Sequence, residues 1–444
     1  MNHRDLSFFT ILANQTTKQY IMHKKQNAWM WIPTLYFASG LPYHAITSIS
    51  DILYKEMGIG NAQIAMYTSL LLIPWTIKPL WSPIVEMIST RRKWTLASQL
   101  LLAICFAAIA AVIPSSHFLA LTLIAFFAGA FVSSTHDIAL DGFYILGLSQ
   151  EKQSFFSGIR NTFYRIATVF SSGVLVMLAN KLGHTLGSDR LAWSATFAVT
   201  GIIMLTLWLY HTKAVPLPES DIPRTTTNLS SIFNNYGDII KSYFQKPGIW
   251  QAILFLLLFR FPEAQLGKIG KLFLMDNASS GGLALDKGEI GFIYGVLGVI
   301  GLIIGGIAGG ICISRKGLKY WLWPMVIAIS LPDAVYIYMS AAQPDSLGAI
   351  SSCIFIEQLG YGFGFTAYTL YMIYFAQGKY PTAHFAISTA FMSLGMMLPG
   401  MFAGKLQEWM GYNNFFIWVT ACTLITFFVA ALVKIDPGFG KRQK

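Results

Sequence analysis

The residues best suited to do chemistry in this sequence are charged side chains inside otherwise apolar stretches. One such stretch, residues 249–275, contains Arg260, Glu263, Lys268 and Lys271. An ionisable group inside a bilayer costs about 2.5–3.5 kcal/mol on insertion scales and usually faces a partner or a wet cavity. At 100° per residue, these four lie on one side of a helix, within about 140° of one another. The face predicts a wet cavity whose excess positive charge attracts an anionic ligand.

Two simpler explanations compete with that interpretation of the seventh stretch. Lys268 and Lys271 have long apolar stems, so they could extend to the membrane surface without entering a cavity. Arg260 and Glu263 are three residues apart, which is the spacing of a purely structural ion pair on a helix.

A second polar cluster spans two neighbouring stretches. Asp137 and Asp141 lie four residues apart on one helix face, and the next stretch supplies Arg160, Tyr164 and Arg165. In one interpretation the carboxylates pair with the arginines and hold one end of a helix bundle together. In the other, an acid in a water-accessible site of low dielectric carries a coupling proton. We favour the structural pair for Asp141 and leave both roles open for Asp137.

Isolated charges complete the candidate site. Glu357 has no cation near it in sequence, so it is either a neutral proton carrier or a hydrogen-bonded structural acid. Lys78 lies between two prolines and is expected to meet an acid or the ligand. Tyr43, Tyr164 and Tyr361 have rings suited to stacking on a sugar. Asp333 follows Pro332 in an environment that the sequence does not define.

The elements that position these residues are predicted from composition. The chain has 444 residues, 55% hydrophobic and only 11% charged, whereas soluble proteins average about 25% charged. A membrane-spanning helix needs about 20 apolar residues. Twelve such stretches predict an all-α polytopic membrane protein, with spans at 29–54, 62–85, 94–114, 118–144, 155–180, 191–212, 249–275, 288–313, 319–341, 346–376, 382–404 and 414–434.

One long polar interval divides the spans six and six. The predicted organisation is a tail (1–28), a six-helix bundle (29–214), a linker (215–248), a second six-helix bundle (249–435) and a final tail (436–444). Residues 232–244 of the linker are predicted to form a helix at the membrane surface. Features recur between the halves, because Pro42 corresponds to Pro262 and Arg91 to Arg315. Such duplication is typical of two-bundle secondary transporters with a central binding site.

Basic residues predict the orientation. With the N-terminus inside, twenty lysines and arginines fall in cytoplasmic segments and five in the opposite loops. This asymmetry predicts that both termini lie in the cytoplasm. The net charge of +11 therefore reports topology, and no nucleic-acid partner is expected.

Other site classes find little support in the sequence. Cys105, Cys312, Cys353 and Cys422 lack metal or disulfide spacing and are expected to be small core residues. Glycines crowd the eighth span and predict close helix contact rather than a nucleotide loop. No catalytic residue, metal or cofactor is predicted. A magnesium-dependent membrane transferase using Asp137 and Asp141 is a rival, as is a non-transporting sensor or scaffold.

Several motifs resemble one family. The run His136-Asp137-Ile138-Ala139-Leu140-Asp141-Gly142 is similar to the Gln-Asp-Ile-x-x-Asp-Gly/Ala signature of AmpG-type permeases and the related acetyl-CoA transporters. Further matches are Gly40-Leu41-Pro42, Lys78 to Pro83, Arg91 to Trp94, and Gly364 to Tyr368 with Phe385-Ala386. The resemblance covers most of the chain and implies the major-facilitator fold, with twelve transmembrane helices in two six-helix bundles.

The resemblance also implies a function. Such proteins import anhydromuropeptides, the sugar–peptide products of cell-wall recycling, across a bacterial inner membrane as monomeric symporters powered by the proton gradient. By motif, Asp137, Asp141 and Lys78 are the family-like positions. His136 stands where the family usually has Gln, which leaves open another anionic solute such as an acidic saccharide, a phosphosugar or an acyl-CoA.

Together these arguments predict the working site. Anionic substrate is expected between spans one, four, five, seven and ten. The predicted substrate-binding residues are Arg160, Arg165, Arg260, Lys268, Lys271, Lys78, Tyr43, Tyr164 and Tyr361. The candidates for proton coupling are Asp137, Asp141, Glu263 and Glu357.

Overall fold

A computed structural model of the chain describes residues 27–148, 150–217, 221, 229–378 and 380–441. The predicted tail 1–28 therefore lies almost wholly outside the described residues, as does Arg224 in the linker. The described part is helical and contains no strand, which agrees with the predicted all-α class.

Helical segments occupy all twelve predicted spans. They are α1 (Ala28–His44, a π-helical turn Ala45–Ile49 and Ser50–Glu56), α2 (Asn61–Leu70 and Ile73–Ile88), α3 (Arg91–Val112), α4 (Phe118–Gly147), α5 (Gln150–Val169, a π-helical turn Phe170–Leu175 and Val176–Leu186), α6 (Asp189–Ala214), α7 (Ile249–Leu258 and Phe261–Met275), α8 (Lys287–Phe292, a π-helical turn Ile293–Gly298 and Val299–Lys316), α9 (Leu318–Ser330, a 3₁₀ turn Leu331–Asp333 and Ala334–Ala342), α10 (Leu347–Ala376), α11 (Pro381–Met410) and α12 (Tyr412–Leu432).

Eight of these helices are long and apolar enough to cross a membrane, namely α3 to α6, α8, α9, α11 and α12. The other four, α1, α2, α7 and α10, carry Tyr43, Lys78, Arg260 and Glu357 respectively. Eight of the thirteen candidate site residues lie in these four helices, three of which are divided into shorter segments. A helix that turns one face toward a polar interior must give up part of its apolar surface.

The helix pairings in the first half recur in the second with an offset of six helices. The α1–α5 and α3–α4 contacts correspond to α7–α11 and α9–α10. Between the halves, α2 packs on α11 and α5 on α8. We call the face where α1 begins and α12 ends the proximal face, and the opposite one the distal face. The predicted division at 215–248 falls between α6 and α7.

Glycines allow α8 to approach α10 closely, as their spacing predicts. A Cβ atom on Gly305 would lie only 2.1 Å from the carbonyl oxygen of Leu359, and one on Gly301 would lie 2.8 Å from that of Phe355. Only hydrogen fits at such a contact, so the glycines set the distance between these helices.

A second glycine contact joins the two halves where the π-helical turns of α5 and α8 meet. A Cβ on Gly295 would lie 2.2 Å from the carbonyl oxygen of Ser172, and one on Gly173 would lie 3.0 Å from a methyl of Val296. Backbone therefore touches backbone at this crossing.

Prolines interrupt the helices next to the candidate site. Pro262 has no N–H to donate, and α7 breaks at Phe259–Arg260 just before it. The hydroxyl of Thr426 donates to the carbonyl of Phe259 at 3.0 Å and satisfies that backbone group. Pro332 likewise starts the 3₁₀ turn that ends at Asp333. Both breaks place a charged side chain where a regular helix would not.

The linker contains a helix, Leu229–Phe244, which packs on α11. Ser242 lies 3.0 Å from His384 Nε2, and Tyr243 lies 3.0 Å from Ser388. Beyond this helix, Lys246 Nζ donates to the carbonyl of Phe375 at 2.5 Å, at the C-terminal end of α10. Burial lowers the pKa of Lys246, while the helix terminus favours its positive charge.

Candidate functional site

Aromatic side chains of α1, α2 and α5 form one wall of the candidate site. The ring of Tyr43 lies 5.0 Å from that of Trp75 and 6.5 Å from that of Tyr164. His44 Nε2 is 2.7 Å from the Thr168 hydroxyl, which joins α1 to α5. Tyr43, His44 and Tyr164 remain partly accessible although they lie between helices. They therefore line a space instead of filling packed core.

The facing wall comes from α7 and α10. The guanidinium carbon of Arg260 lies 5.3 Å from the ring centre of Tyr361 and 4.7 Å from that of Phe365, and Arg260 donates a hydrogen bond to the Tyr361 hydroxyl. Arg260 also interacts electrostatically with Tyr43 on the other wall. We call the space between these walls the central site.

Three cations border the central site. Arg260 and Lys271 come from α7 and Arg165 from α5, and Arg165 and Lys271 both interact electrostatically with His44. Lys271 Nζ lies 5.6 Å from the ring centre of Tyr294. Among the described contacts, none of the three has a carboxylate within ion-pair distance. Arg260 interacts at longer range with Glu263, and Lys271 with Asp51. A group of cations without a carboxylate in direct contact is suited to hold an anionic ligand.

Lys268 differs from its predicted role. Its Nζ lies 3.2 Å from Asp51 Oδ1 on α1 and donates to the Thr68 hydroxyl on α2 at 2.8 Å. Asp51 is buried and Lys268 is nearly so, with relative side-chain exposures of 2% and 11%. In this arrangement Lys268 therefore bridges the two halves and is paired with a carboxylate of the protein. Its burial, and that of Lys271, also contradicts the alternative in which both extend to the membrane surface.

Glu263 lies beside two other acids, although Arg260 also interacts with it electrostatically. It joins Asp333 of α9 and Glu357 of α10, so that one carboxylate oxygen of each lies within 4.8 Å of the others. No ion pair with Arg260 within 4.0 Å is described, so the predicted structural pair is not formed. The predicted face is divided among different surroundings, because α7 breaks at Arg260 and because Glu263 and Lys268 lie at the two edges of that face.

The three acids form a cluster of high electrostatic cost. Glu263, Asp333 and Glu357 are 7%, 1% and 2% exposed. At 4.8 Å, two like charges repel by about 3.5 kcal/mol at an effective dielectric constant of about 20. The three acids are close enough together to share a cation or a proton.

Asp137 has neutral partners. Ser39 Oγ donates to its Oδ1 at 2.6 Å and Trp75 Nε1 to its Oδ2 at 3.0 Å. Lys78 interacts with it electrostatically without reaching ion-pair distance. The arginine pairing considered for Asp137 is not among the described contacts, and the carboxylate instead ties α4 to α1 and α2 next to Tyr43.

Arg160 and Asp141 lie at the proximal end of the first half. Arg160 Nη1 is 3.8 Å from Asp141 Oδ1, whose side chain is 56% exposed. The guanidinium also stacks over Tyr36 and Tyr144 at 5.2 and 5.1 Å. This arrangement agrees with the structural interpretation of Asp141. The structure does not place Arg160 with the central cations, because it lies about 140° around α5 from Arg165.

Polar contacts join the two halves near the distal face. Lys55 Nζ is 2.5 Å from Asp276 Oδ1, and Lys287 Nζ is 2.6 Å from both Glu56 and Asp189. A cavity of about 630 Å³ opens at these residues. Deeper in the protein, the hydroxyls of Thr76 and Ser393 are 2.7 Å apart. The described polar contacts between the halves thus lie at the distal end and at mid-depth.

The residue that departs from the family signature belongs to a buried network. His136 Nε2 lies 3.1 Å from the Gln99 amide nitrogen, and His211 Nδ1 lies 2.9 Å from the Gln99 amide oxygen. The other ring nitrogen of His211 is 2.9 Å from the Thr34 hydroxyl. His136 therefore faces the interior of the first half and not the central site.

Sequence reasoning gave no role to three residues that the structure makes central. Asp51 pairs with Lys268, Asp333 completes the acid cluster, and His44 lies between Tyr164 and Thr168. Asp51 and Asp333 carried a signal, because each is an acid within an apolar span. Nothing local distinguished His44 from an ordinary buried histidine.

Comparisons with known proteins agree with this architecture. The sequence profile described as Major Facilitator Superfamily matches residues 34–398. The chain belongs to this superfamily. It is 28% identical over 407 residues to "Putative transporter AmpG 4" of Rickettsia conorii, which covers 88% of this chain and 92% of that protein. It is also 26% identical over 415 residues to the "Anhydromuropeptide permease" of Escherichia coli K12, covering 92% and 80%.

Solved structures support the same fold. A nucleoside transporter aligns with a TM-score of 0.66 at 14% identity, covering 91% of this chain and 99% of that one. A D-xylose–proton symporter aligns with a TM-score of 0.65 at 12% identity, covering 91% and 97%. This superfamily member is thus a multi-pass membrane transporter of a small molecule, not an enzyme, and it resembles AmpG-type proteins over most of its length.

Proposed function

We propose that this transporter imports an anionic sugar–peptide, an anhydromuropeptide-like cell-wall fragment, by proton-coupled symport. The observation that carries the proposal is the group of three cations at the central site. Arg165, Arg260 and Lys271 border that site, and no carboxylate is described within ion-pair distance of any of them. A substrate with carboxylates supplies the missing negative charge. The relative named as an anhydromuropeptide permease supports this class of substrate.

The opposite wall suits the sugar part of such a substrate. The ring of Tyr43 lies 5.0 Å from that of Trp75 and 6.5 Å from that of Tyr164, and Tyr43 and Tyr164 keep part of their surface accessible. Flat apolar rings with polar edges can stack on a sugar face while hydroxyls at the rim hydrogen-bond. A ligand with a sugar at one end and carboxylates at the other would therefore bridge the two halves.

The proposed cycle is alternating access across a bacterial inner membrane. Both termini would lie in the cytoplasm, as the distribution of basic residues predicts. The distal polar contacts would then close the periplasmic side in the arrangement described above. Because both walls of the central site come from one chain, we propose that a monomer suffices for transport, with the proton gradient and no bound cofactor as the source of energy.

Uptake into membrane vesicles tests the function. Radiolabelled anhydromuropeptide should accumulate in vesicles that contain the protein when the proton gradient is directed inward, and a protonophore should abolish accumulation. Arg260→Gln should weaken apparent affinity by about 10- to 150-fold, the worth of a hydrogen bond to a charged group. Arg315→Gln, a matched change at an exposed arginine, should have little effect.

Three outcomes would contradict parts of the proposal. Accumulation that is insensitive to the protonophore would rule out proton coupling. Equal affinity for an analogue with amidated carboxylates would rule out recognition through the cations. Uptake of an acidic saccharide, phosphosugar or acyl-CoA in place of the muropeptide would reassign the substrate while keeping its negative charge.

A further inference from the structure

The acid cluster combines three helices of the second half. Glu263 lies in the first turn of α7 after its break, Asp333 ends the proline-induced turn of α9, and Glu357 lies within α10. One carboxylate oxygen from each lies within 4.8 Å of the others. All three side chains are more than nine-tenths buried, so water does not screen their charges.

Hydrogen-bond donors reach only part of this cluster in the described structure. Gln358 Nε2 donates to the two oxygens of Glu357 at 3.2 and 2.9 Å. Both oxygens of Asp333 and Oε1 of Glu263 are buried without a donor. A buried carboxylate without a donor or a counterion is strongly disfavoured. A proton on one carboxyl would supply the missing donor and remove one negative charge.

Among the groups around the acid cluster, Arg260 supplies the positive charge that could neutralise the acids in place of a proton. The titratable groups that interact electrostatically with the cluster are Tyr294, Tyr336 and Tyr361, which are neutral, and Arg260. Arg260 stands between the cluster and the central site. Its guanidinium is held by Tyr361 and Phe365, and its buried Nε has no partner.

We propose that Glu263, Asp333 and Glu357 form one site that shares the coupling proton, and that this proton determines whether Arg260 serves the substrate or the acids. With the proton bound, the cluster has less attraction for Arg260, whose charge is then available to a substrate carboxylate. When the proton leaves toward the proximal side, the cluster gains a negative charge and draws Arg260 away from the substrate. This inference rests on the proposed function and adds Asp333, in a role that the sequence did not assign.

Thermodynamic linkage makes this coupling reciprocal. If the bound proton raises the affinity for an anionic substrate by a given factor, the substrate must raise the affinity for the proton by the same factor. The empty transporter therefore releases the proton more readily than the loaded one.

Infrared spectroscopy of the purified protein in lipid tests proton sharing without any substrate. The wild type should show the carbonyl band of a protonated carboxyl at neutral pH, and this band should disappear on raising the pH. In Asp333→Asn, which removes one charge from the cluster, the band should be weaker and disappear at lower pH. Asp345→Asn, a matched change at an exposed acid, should leave the spectrum unchanged.

Two spectroscopic results would overturn the inference. One is the same band and pH dependence in the wild type and in Asp333→Asn, which would mean that these acids do not share a proton. The other is a carboxylate band that shifts when Na⁺ replaces choline in the wild type but not in Asp333→Asn. That result would make the cluster a metal-ion site.

Transport then tests the coupling. With an inward gradient of about one pH unit, symport of one proton supports up to about tenfold accumulation. Asp333→Asn should equilibrate labelled substrate across the membrane without concentrating it, whereas Asp345→Asn should concentrate it like the wild type. Undiminished accumulation by Asp333→Asn would refute the coupling role. Absence of transport by the wild type would refute the proposed function, while the infrared result would still decide whether the acids share a proton.

Discussion

Replacing Lys268 by methionine tests the buried bridge between the two halves. Lys268 pairs with Asp51 at 3.2 Å, and the two side chains are 11% and 2% exposed. Removing one partner of a buried pair leaves an uncompensated charge and costs about 3–5 kcal/mol. The bridge exists only while the halves are in contact at this depth. The equilibrium should therefore shift toward the distally open arrangement by about 140- to 3,700-fold.

Cysteine labelling measures this shift. Ser69 of α2 is fully buried, and its hydroxyl would lie 2.8 Å from a Cβ on Gly400 of α11. In a background without the native cysteines, Ser69→Cys should resist a membrane-impermeant maleimide added on the distal side. Adding Lys268→Met should accelerate labelling by at least tenfold. Lys405→Met, a matched change at an exposed lysine of α11, should not.

A double variant separates the bridge from general loosening of the structure. In Asp51→Asn with Lys268→Met, the unpaired buried charge is gone, so part of the protection of Ser69→Cys should return. Equal labelling rates for Lys268→Met and Lys405→Met would refute the reasoning. The reasoning would also be refuted if the double variant were labelled faster than expected from multiplying the rate increases of Asp51→Asn and Lys268→Met measured separately.

Four further predictions concern other contacts. In a thermal unfolding assay, Gly305→Ala should lower the melting temperature, because overpacking costs about 1–3 kcal/mol. Gly310→Ala should leave it unchanged, because the added Cβ meets no atom within 4 Å. Lys287→Met should also speed distal labelling of Ser69→Cys, but less than Lys268→Met does, because one of its partners is 52% exposed. Asp141→Asn should reduce vesicle uptake by less than about fivefold, since an exposed pair is worth about 0–1 kcal/mol. Asp137→Asn should reduce uptake more, because its carboxylate accepts two hydrogen bonds in the interior.

The positions of the helices followed from the sequence because apolar length is a local property. Span four was predicted at 118–144 and runs over Phe118–Gly147. Close packing of α8 was likewise evident in its glycine spacing, although the sequence did not identify α10 as the partner. What the local pattern could not give was a helix break. The wheel drawn through Arg260 assumed a continuous helix, although the effect of Pro262 extends to the residues before it.

The sequence predicted that charged side chains face the interior, but it did not predict which of them lie next to one another. Positive charge on α7 does face the interior, but the acid that neutralises Lys268 is 217 positions away in the sequence. Asp333 meets Glu263 only because two proline-induced breaks occur at the same depth. Such partnerships depend on how the helices pack, and helical periodicity in a single sequence contains no information about that.

The glycine crossing of α5 and α8 has a mechanical consequence. At Gly173 and Gly295 the main chains of the two halves come into contact, with few side chains between them. Such a contact can act as a pivot. A small rotation about it disturbs few local contacts but displaces the distant ends of the helices by a much larger distance. The two halves can therefore tilt almost as rigid bodies, and the cost of motion is concentrated in the charged contacts between them, at the distal face and at the Lys268–Asp51 bridge.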